Sequence, residues 1–147
     1  MVLKGLTRVG QHKLAHEIGC NTLENVVEVF KSTGTVWENY SPEHKRQGHP
    51  AKSDFVGWTG LIPIAVLIEY VLGITSDAKN KEIVWRISLT EKHGIERYPF
   101  EGKSVDLICE ARDSEHEEPR VTVSCDAPVT VRAIWEGGEK VVCVSNS

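Results

Sequence analysis

The hydrophobic period of this sequence changes once, near residue 75, and that change calls for two unlike parts. Before it, Leu14, Ile18, Leu23, Val26, Val27 and Phe30 recur at helical spacings, the apolar stripe of an amphipathic helix. After it, apolar residues alternate. Val105, Leu107 and Cys109 share one face, Val121, Val123 and Cys125 another, and Val129, Val131, Ala133 and Trp135 a third. Gly137-Gly138 is a hairpin signal ahead of Lys140-Val-Val-Cys-Val144, and Ile83-Val-Trp-Arg-Ile-Ser-Leu89 is a further strand run. The pattern predicts an α+β fold, with N-terminal helices followed by a C-terminal antiparallel sheet of about five or six strands. The expected boundaries are a helical part at 1–74, a polar linker at 75–81 and a β-rich region at 82–147.

Within the helical part, Gly19 and Asn21 weaken the middle of the first long helix. A break there, with Thr22 capping a second piece, is the alternative to one continuous helix. Gly34 is placed to end it, and Gly73 to end the next. Between them the stretch SPEHKRQGHPAKS, residues 41–53, carries two prolines, a glycine and no large apolar side chain. Loops of that length in a compact domain are often functional. The following run, FVGWTGLIPIAVLIEYVLGI from Phe55 to Ile74, is apolar on nearly every face and reads as a helix enclosed on all sides. It approaches the length that spans a bilayer, but Glu69, Thr59, Pro63 and three glycines favour a buried helix over a membrane span. Glu69 is expected to be paired or at the exposed edge of that helix.

Charge and composition exclude several classes. Lys plus Arg total 17 against 21 Asp plus Glu, a formal charge of −4. That is the wrong sign for a surface that neutralises nucleic-acid phosphates, so no nucleic-acid partner is expected. The 147 residues match one ordinary globular domain in size, with 40% apolar and 26% charged residues. Cys20, Cys109, Cys125 and Cys143 form no C-x-x-C pair and have no zinc spacing. The default is reduced thiols; two of the three strand cysteines facing each other across a sheet is the alternative. The opening residues lack the apolar stretch of a signal peptide, so a cytoplasmic location is expected, with no membrane partner. No cofactor is expected. His44, His49 and Glu43 are potential metal ligands, but their spacing is that of solvated loop residues.

The densest group of chemical side chains is Gly34-Thr-Val-Trp-Glu-Asn-Tyr-Ser-Pro-Glu43, with Asp54-Phe-Val-Gly-Trp-Thr-Gly60 a short way on. Glu38 stands between Trp37 and Tyr40, beside Asn39, at a helix-to-loop junction, and Asp54 and Trp58 open the next helix. Sugars are bound by such a set. Aromatic faces cover the C–H face of the ring, amides and carboxylates take the hydroxyls, and a carboxylate in that setting can deprotonate water. Taken singly, each residue has a plainer role: Glu38 a helix cap or ion-pair partner, Trp58 a core side chain, Asp54 an N-cap.

The stretches GTVWENYSPE and DFVGWTGLIPIAVLIEYVLGI, with the Pro/Gly-rich loop between them, resemble the C-terminal part of glycoside hydrolases built on an (α/α) six-hairpin toroid. These include the family 63 and trehalase-like enzymes, with the mannosylglycerate-hydrolase-like group. The β-rich tail, with WRISLTEKHGIERYPFEGKSVDLICEARDS, is similar to the terminal region of such proteins. The resemblance implies that Glu38 is the catalytic base of an inverting hydrolysis. It also implies that Asn39, Tyr40, Gly57 and Trp58, with Trp37, shape a sugar pocket.

Inversion also needs a general acid, about 6.5–9.5 Å from the base. In the family it is an Asp on an earlier hairpin. About 37 residues precede Glu38, whereas a twelve-helix toroid takes on the order of 200. The resemblance therefore implies part of a glycosidase, carrying the base but not the upstream acid, and inactive alone. Asp54, 16 residues after Glu38, is the nearest candidate for a second carboxyl, against its reading as an N-cap or as a substrate-binding residue. The expected partners are a carbohydrate and either a second copy of the chain or the missing barrel portion on another chain. The alternative is a non-catalytic oligomeric or carbohydrate-binding module.

Overall fold

The computed structural model describes residues 1–52 and 55–145. It divides into two compact units, Met1–Val71 and Leu72–Ser147. The α+β class holds: helices occupy the first unit and strands the second.

In the first unit a short helix α1 (Val2–Arg8) is followed by the long helix α2 (His12–Thr33). No break occurs at Gly19 or Asn21. Thr22 does not cap a second piece; it lies inside the helix, its hydroxyl donating to the Ile18 carbonyl at 2.7 Å. Gly34 ends α2 as the sequence predicts, in a left-handed conformation (φ 76°) that an L side chain resists, its N–H donating to Phe30 O at 2.7 Å. The buried stripe of α2 is Ala15, Gly19, Val26 and Val29. The larger Leu14, Val27 and Phe30 lie on its flanks and are exposed.

The second apolar run departs further from expectation. It opens with a 3-10 helix at Gly57–Leu61 and continues as a π-helix at Ile62–Val71. None of its residues is buried, so the enclosed helix read from the sequence is not what forms. The i→i+5 bonding of a π-helix widens each turn and spreads apolar residues around the axis that a 3.6-residue period would stack. Glu69 is exposed, as expected of it. The π-helix crosses α2 at Gly19, where a Cβ would stand 2.9 Å from Tyr70 Cβ. Beside that crossing, His16 Nδ1 lies 2.8 Å from the Tyr70 carbonyl. A carbonyl only accepts, so the proton sits on Nδ1, leaving Nε2 to accept from the Cys20 thiol at 3.6 Å. One ring thus satisfies a carbonyl that the end of the π-helix leaves without a partner. Burial, aided by the charge of Glu24, pushes the Cys20 thiol above its ordinary pKa. No helix among the described residues is long and apolar enough to cross a membrane.

Among its described residues the second unit has seven strands in two sheets rather than one. β1 (Ile74–Asp77), β2 (Glu82–Arg86), β6 (Val129–Trp135) and β7 (Gly138–Val144) form a sheet in the order β1-β2-β6-β7. β3 (His93–Phe100), β4 (Lys103–Cys109) and β5 (Val121–Cys125) form the other, in sequence order. All pairs are antiparallel except β2 with β6. Parallel neighbours need a long connection, and here the whole β3–β5 sheet is that connection. A strictly antiparallel region is corrected in this one pair. Residues 75–81, read as a linker above, form the rest of β1 and the turn into β2.

The predicted alternation holds. Val105, Leu107 and Cys109 are buried, as are Val129, Val131 and Ala133, joined by Ile83, Trp85 and Ile87. The His93 and Trp85 rings meet at nearly right angles with centroids 5.9 Å apart and link β3 to β2. Gly137 and Gly138 turn the β6–β7 hairpin, which closes on the Trp135–Gly138 pair. Among the described residues all four cysteines are free, and Cys109 faces Val121 across the ladder. Burial raises the Cys109 thiol pKa.

Arg112, a residue to which no motif points, is buried in this unit. Its guanidinium donates to the carbonyls of Ile87 (2.8 Å), Leu89 (3.3 Å), Glu115 (3.1 Å) and Glu117 (2.8 Å). These acceptors lie in irregular backbone that has no ladder to satisfy it.

Candidate functional site

The candidate segment starts where α2 stops. Gly34 turns the chain out of the helix, and the next residues are fixed by three contacts. Trp37 Nε1 donates to Thr33 Oγ1 at 2.9 Å, and that hydroxyl in turn donates to Val29 O at 2.8 Å. The Trp37 backbone N–H donates to Tyr40 Oη at 3.1 Å. Trp37 and Tyr40 are half-buried by these contacts, whereas Glu38 and Asn39 between them are exposed.

The two motifs singled out in the sequence meet in space. The Thr59 hydroxyl sits between the carbonyls of Trp37 and Val56, bonding the residue before Glu38 to the 3-10 helix. Glu38 Cγ lies 3.4 Å from where a Cβ on Gly57 would stand, and Gly57 itself has φ 57°. Glycine there serves both the left-handed turn and the room for Glu38. The Glu38 carboxylate makes no hydrogen bond or ion pair among the described residues, so neither the cap nor the ion-pair role is realised. It is an uncommitted, solvent-reached acceptor on a tethered backbone.

Trp58 is 89% exposed, so its core reading is overturned as well. Asp54, weighed as cap, second carboxyl and substrate ligand, lies outside the described residues. The structure thus gathers Trp37, Glu38, Tyr40 and Gly57, and leaves Trp58 in solvent on the same short helix.

Asn39 faces a different way, into the loop. Gly48 N–H donates to Asn39 O at 3.0 Å, Ser41 N–H to Arg46 O at 3.0 Å, and Tyr40 bridges to Gln47. Asn39 Nδ2 donates to Pro50 O at 3.2 Å. A Cβ on Gly48 would fall 1.9 Å from Asn39 Oδ1. The loop that the sequence shows only as polar and Pro/Gly-rich is therefore a closed hairpin-like turn. It borders a concavity of about 500 Å³ with Arg46, Gln47 and His49 on its wall. Among the described residues no group of three or more His, Cys, Asp or Glu gathers to hold a metal.

Sequence reasoning passed over Thr33, Thr59 and Arg46. Thr59 carried a signal, lying inside the same G-W-T-G run as Gly57 and Trp58. Thr33 gave none beyond its place one turn before Trp37.

The model of the glycosyl hydrolase family 63 C-terminal domain matches residues 3–68, so the helical unit is related to that glycoside hydrolase family. The match takes in α1, α2, the loop and most of the π-helix. Over 122 residues the chain is 27% identical to an uncharacterized protein of Borreliella burgdorferi, covering 74% of this chain and 25% of that protein. The chain thus spans about a quarter of that relative's length. No solved structure matches it.

Proposed function

We propose that this chain carries the base-bearing part of an inverting glycosidase site. Glu38 deprotonates the attacking water, Trp37 and Trp58 offer aromatic faces, and Asn39 and Tyr40 supply polar contacts to the sugar. Gly57 leaves room for the base. The observation that supports this best is the meeting of the two motifs at Glu38, Gly57 and Thr59 within the stretch that matches the family model. Hydrolysis with inversion requires a second carboxyl about 6.5–9.5 Å across the scissile bond. The proposed donor lies on a different helical segment, as in an (α/α) toroid of the trehalase-like kind, so the chain alone does not turn over.

The test is release of reducing sugar from α-linked disaccharides and oligosaccharides. The purified chain is expected to show none, and Glu38→Gln to abolish any activity found when an acid-bearing segment is supplied. Turnover by the chain alone would overturn the missing donor, and turnover that survives Glu38→Gln would overturn the role of Glu38.

A second reading has its own support. Trp58, Leu61 and Ile64 are 89%, 56% and 60% exposed along one short stretch, and apolar residues grouped on a surface are a feature of interaction sites. On that reading the chain is an interaction module that binds sugar without cleaving it. Both readings place the protein in carbohydrate metabolism, and a cytoplasmic location is proposed with them.

A further inference from the structure

The β unit carries a hollow that no sequence motif marks. It holds about 380 Å³, inside the roughly 300–1,000 Å³ range of small-molecule sites. It lies where the β3–β4 turn meets one end of the other sheet, beside the starts of β2 and β6 and the end of β7. Part of its lining is apolar: Phe100 and Val129, each 5% exposed, with Pro128 and Val144. Its charged lining is Lys81, Glu101 and Lys103, and each of these is held in place. Lys81 takes φ 55° at the end of a turn that Asp77 tightens, accepting from the N–H groups of Lys79 and Asn80 at 3.0 and 3.1 Å. Glu101 and Gly102, at φ 49° and 75°, make the two-residue turn that the Phe100–Lys103 pair closes. Lys103 Nζ donates to Pro128 O at 2.6 Å, which fixes its ammonium on the hollow with two N–H bonds to spare. Among the described residues the side chains of Lys81 and Glu101 make no hydrogen bond and no ion pair. Two ammoniums, one carboxylate and an apolar lining match a molecule with a carboxylate, an ammonium and an apolar body. A plain carboxylic acid would leave Glu101 unanswered, and a plain amine would leave both lysines so.

We infer that this hollow binds a free α-amino acid with an apolar side chain. Lys81 and Lys103 take its carboxylate, Glu101 its ammonium, and Phe100 and Val129 its side chain. The site uses no residue of the helical unit, so it stands or falls apart from the sugar reading.

The test is titration of the full chain with leucine, with isocaproate, which lacks its amino group, and with isoamylamine, which lacks its carboxylate. Binding is followed by amide shifts and by the rate at which iodoacetamide alkylates Cys143, an exposed thiol on the wall of the hollow. Leucine is expected to shift Lys81, Glu101 and Lys103 and to slow that alkylation. Isocaproate and isoamylamine should each bind roughly tenfold more weakly. Lys81→Gln and Glu101→Gln, whose side chains hold nothing else, should weaken leucine by a similar factor with far-UV circular dichroism unchanged. Lys103→Gln keeps a donor for Pro128 O and should do the same. No shift and no slowing at tens of millimolar leucine overturns the site. Isocaproate binding as tightly as leucine overturns the part given to Glu101 and with it the amino acid, and isoamylamine doing so overturns the part given to the lysines. Leucine binding that survives all three substitutions overturns the location.

Discussion

Gly48 shows how a single atom's absence organises the candidate site. Its missing side chain is where Asn39 Oδ1 sits, and Asn39 in turn donates to Pro50 O. Gly48→Ala is expected to push the Asn39 amide aside, break that hydrogen bond and cost about 1 kcal/mol. The visible consequence is faster amide exchange from Asn39 to Gly48 with α2 unchanged, and unaltered exchange would contradict the account. Asp77 gives a second residue-scale case. Its carboxylate accepts from the Asn80 backbone N–H at 3.1 Å, from Asn80 Nδ2 at 2.8 Å and from the Lys79 N–H at 3.0 Å. Asn80, through backbone and then side chain, holds the Asp77 pKa below its ordinary 3.8. A depressed carboxylate stabilises the fold above its ordinary pKa and loses that contribution as pH falls through the lowered one. A carboxyl titration followed by NMR should therefore give a midpoint below 3.8, moving back up in Asn80→Ala. The grouping of Glu38, Trp37 and Tyr40 was legible in the sequence because they are neighbours along the chain. Gly48 was not, since its role is set by an atom nine residues away.

Elements built on local period were the easiest to read, and those built on contact the hardest. β4 and β6 follow strict alternation, and every residue expected to face inward from them between Val105 and Ala133 does so. The pairing partners were not legible. Alternation gives the face of a strand but not its neighbour, so the parallel β2–β6 pair lay beyond it. The apolar run after residue 55 misled for the same reason: hydrophobicity on every side says that a helix wants cover, not that the described chain supplies it. Arg112 marks the far end of this scale. It fastens the segment after β2 to the loop before β5 through carbonyls that its sequence neighbours do not reveal. Arg112→Met keeps the bulk and removes the donors, leaving the buried Ile87 carbonyl unpaired at about 1–3 kcal/mol and the part-buried Leu89, Glu115 and Glu117 carbonyls to water. The expected loss is about 2–3 kcal/mol in urea unfolding of the β unit. A loss under about 1 kcal/mol would mean that water satisfies those carbonyls equally well.

At the scale of the whole molecule, the exposed apolar surface of the first unit is the feature that most limits how the chain behaves in solution. Trp58, Leu61 and Ile64 follow one another along the 3-10 helix and the start of the π-helix, and Val27 and Phe30 are exposed on α2. Each Å² of such surface removed from water favours association by roughly 25 cal/mol, against a cost of pairing of about 4–15 kcal/mol, so the outcome turns on how much of this surface a second copy covers. A −4 charge on 147 residues is too small a repulsion to prevent it. The chain is therefore expected to self-associate, with its sedimentation coefficient rising with concentration. Leu61→Glu with Ile64→Glu should shift it to monomer, because a carboxylate pressed into an apolar contact loses its hydration without a partner. Far-UV circular dichroism should stay the same, since both positions face solvent in the single chain. Salt separates this from electrostatic pairing: screening weakens ion pairs but leaves apolar contact intact, so association should persist at high ionic strength. A wild-type chain that stays monomeric at high concentration would show that the exposed residues are too scattered to form an interface. The interaction-module reading would then lose its support, while the sugar site at Glu38 would be untouched.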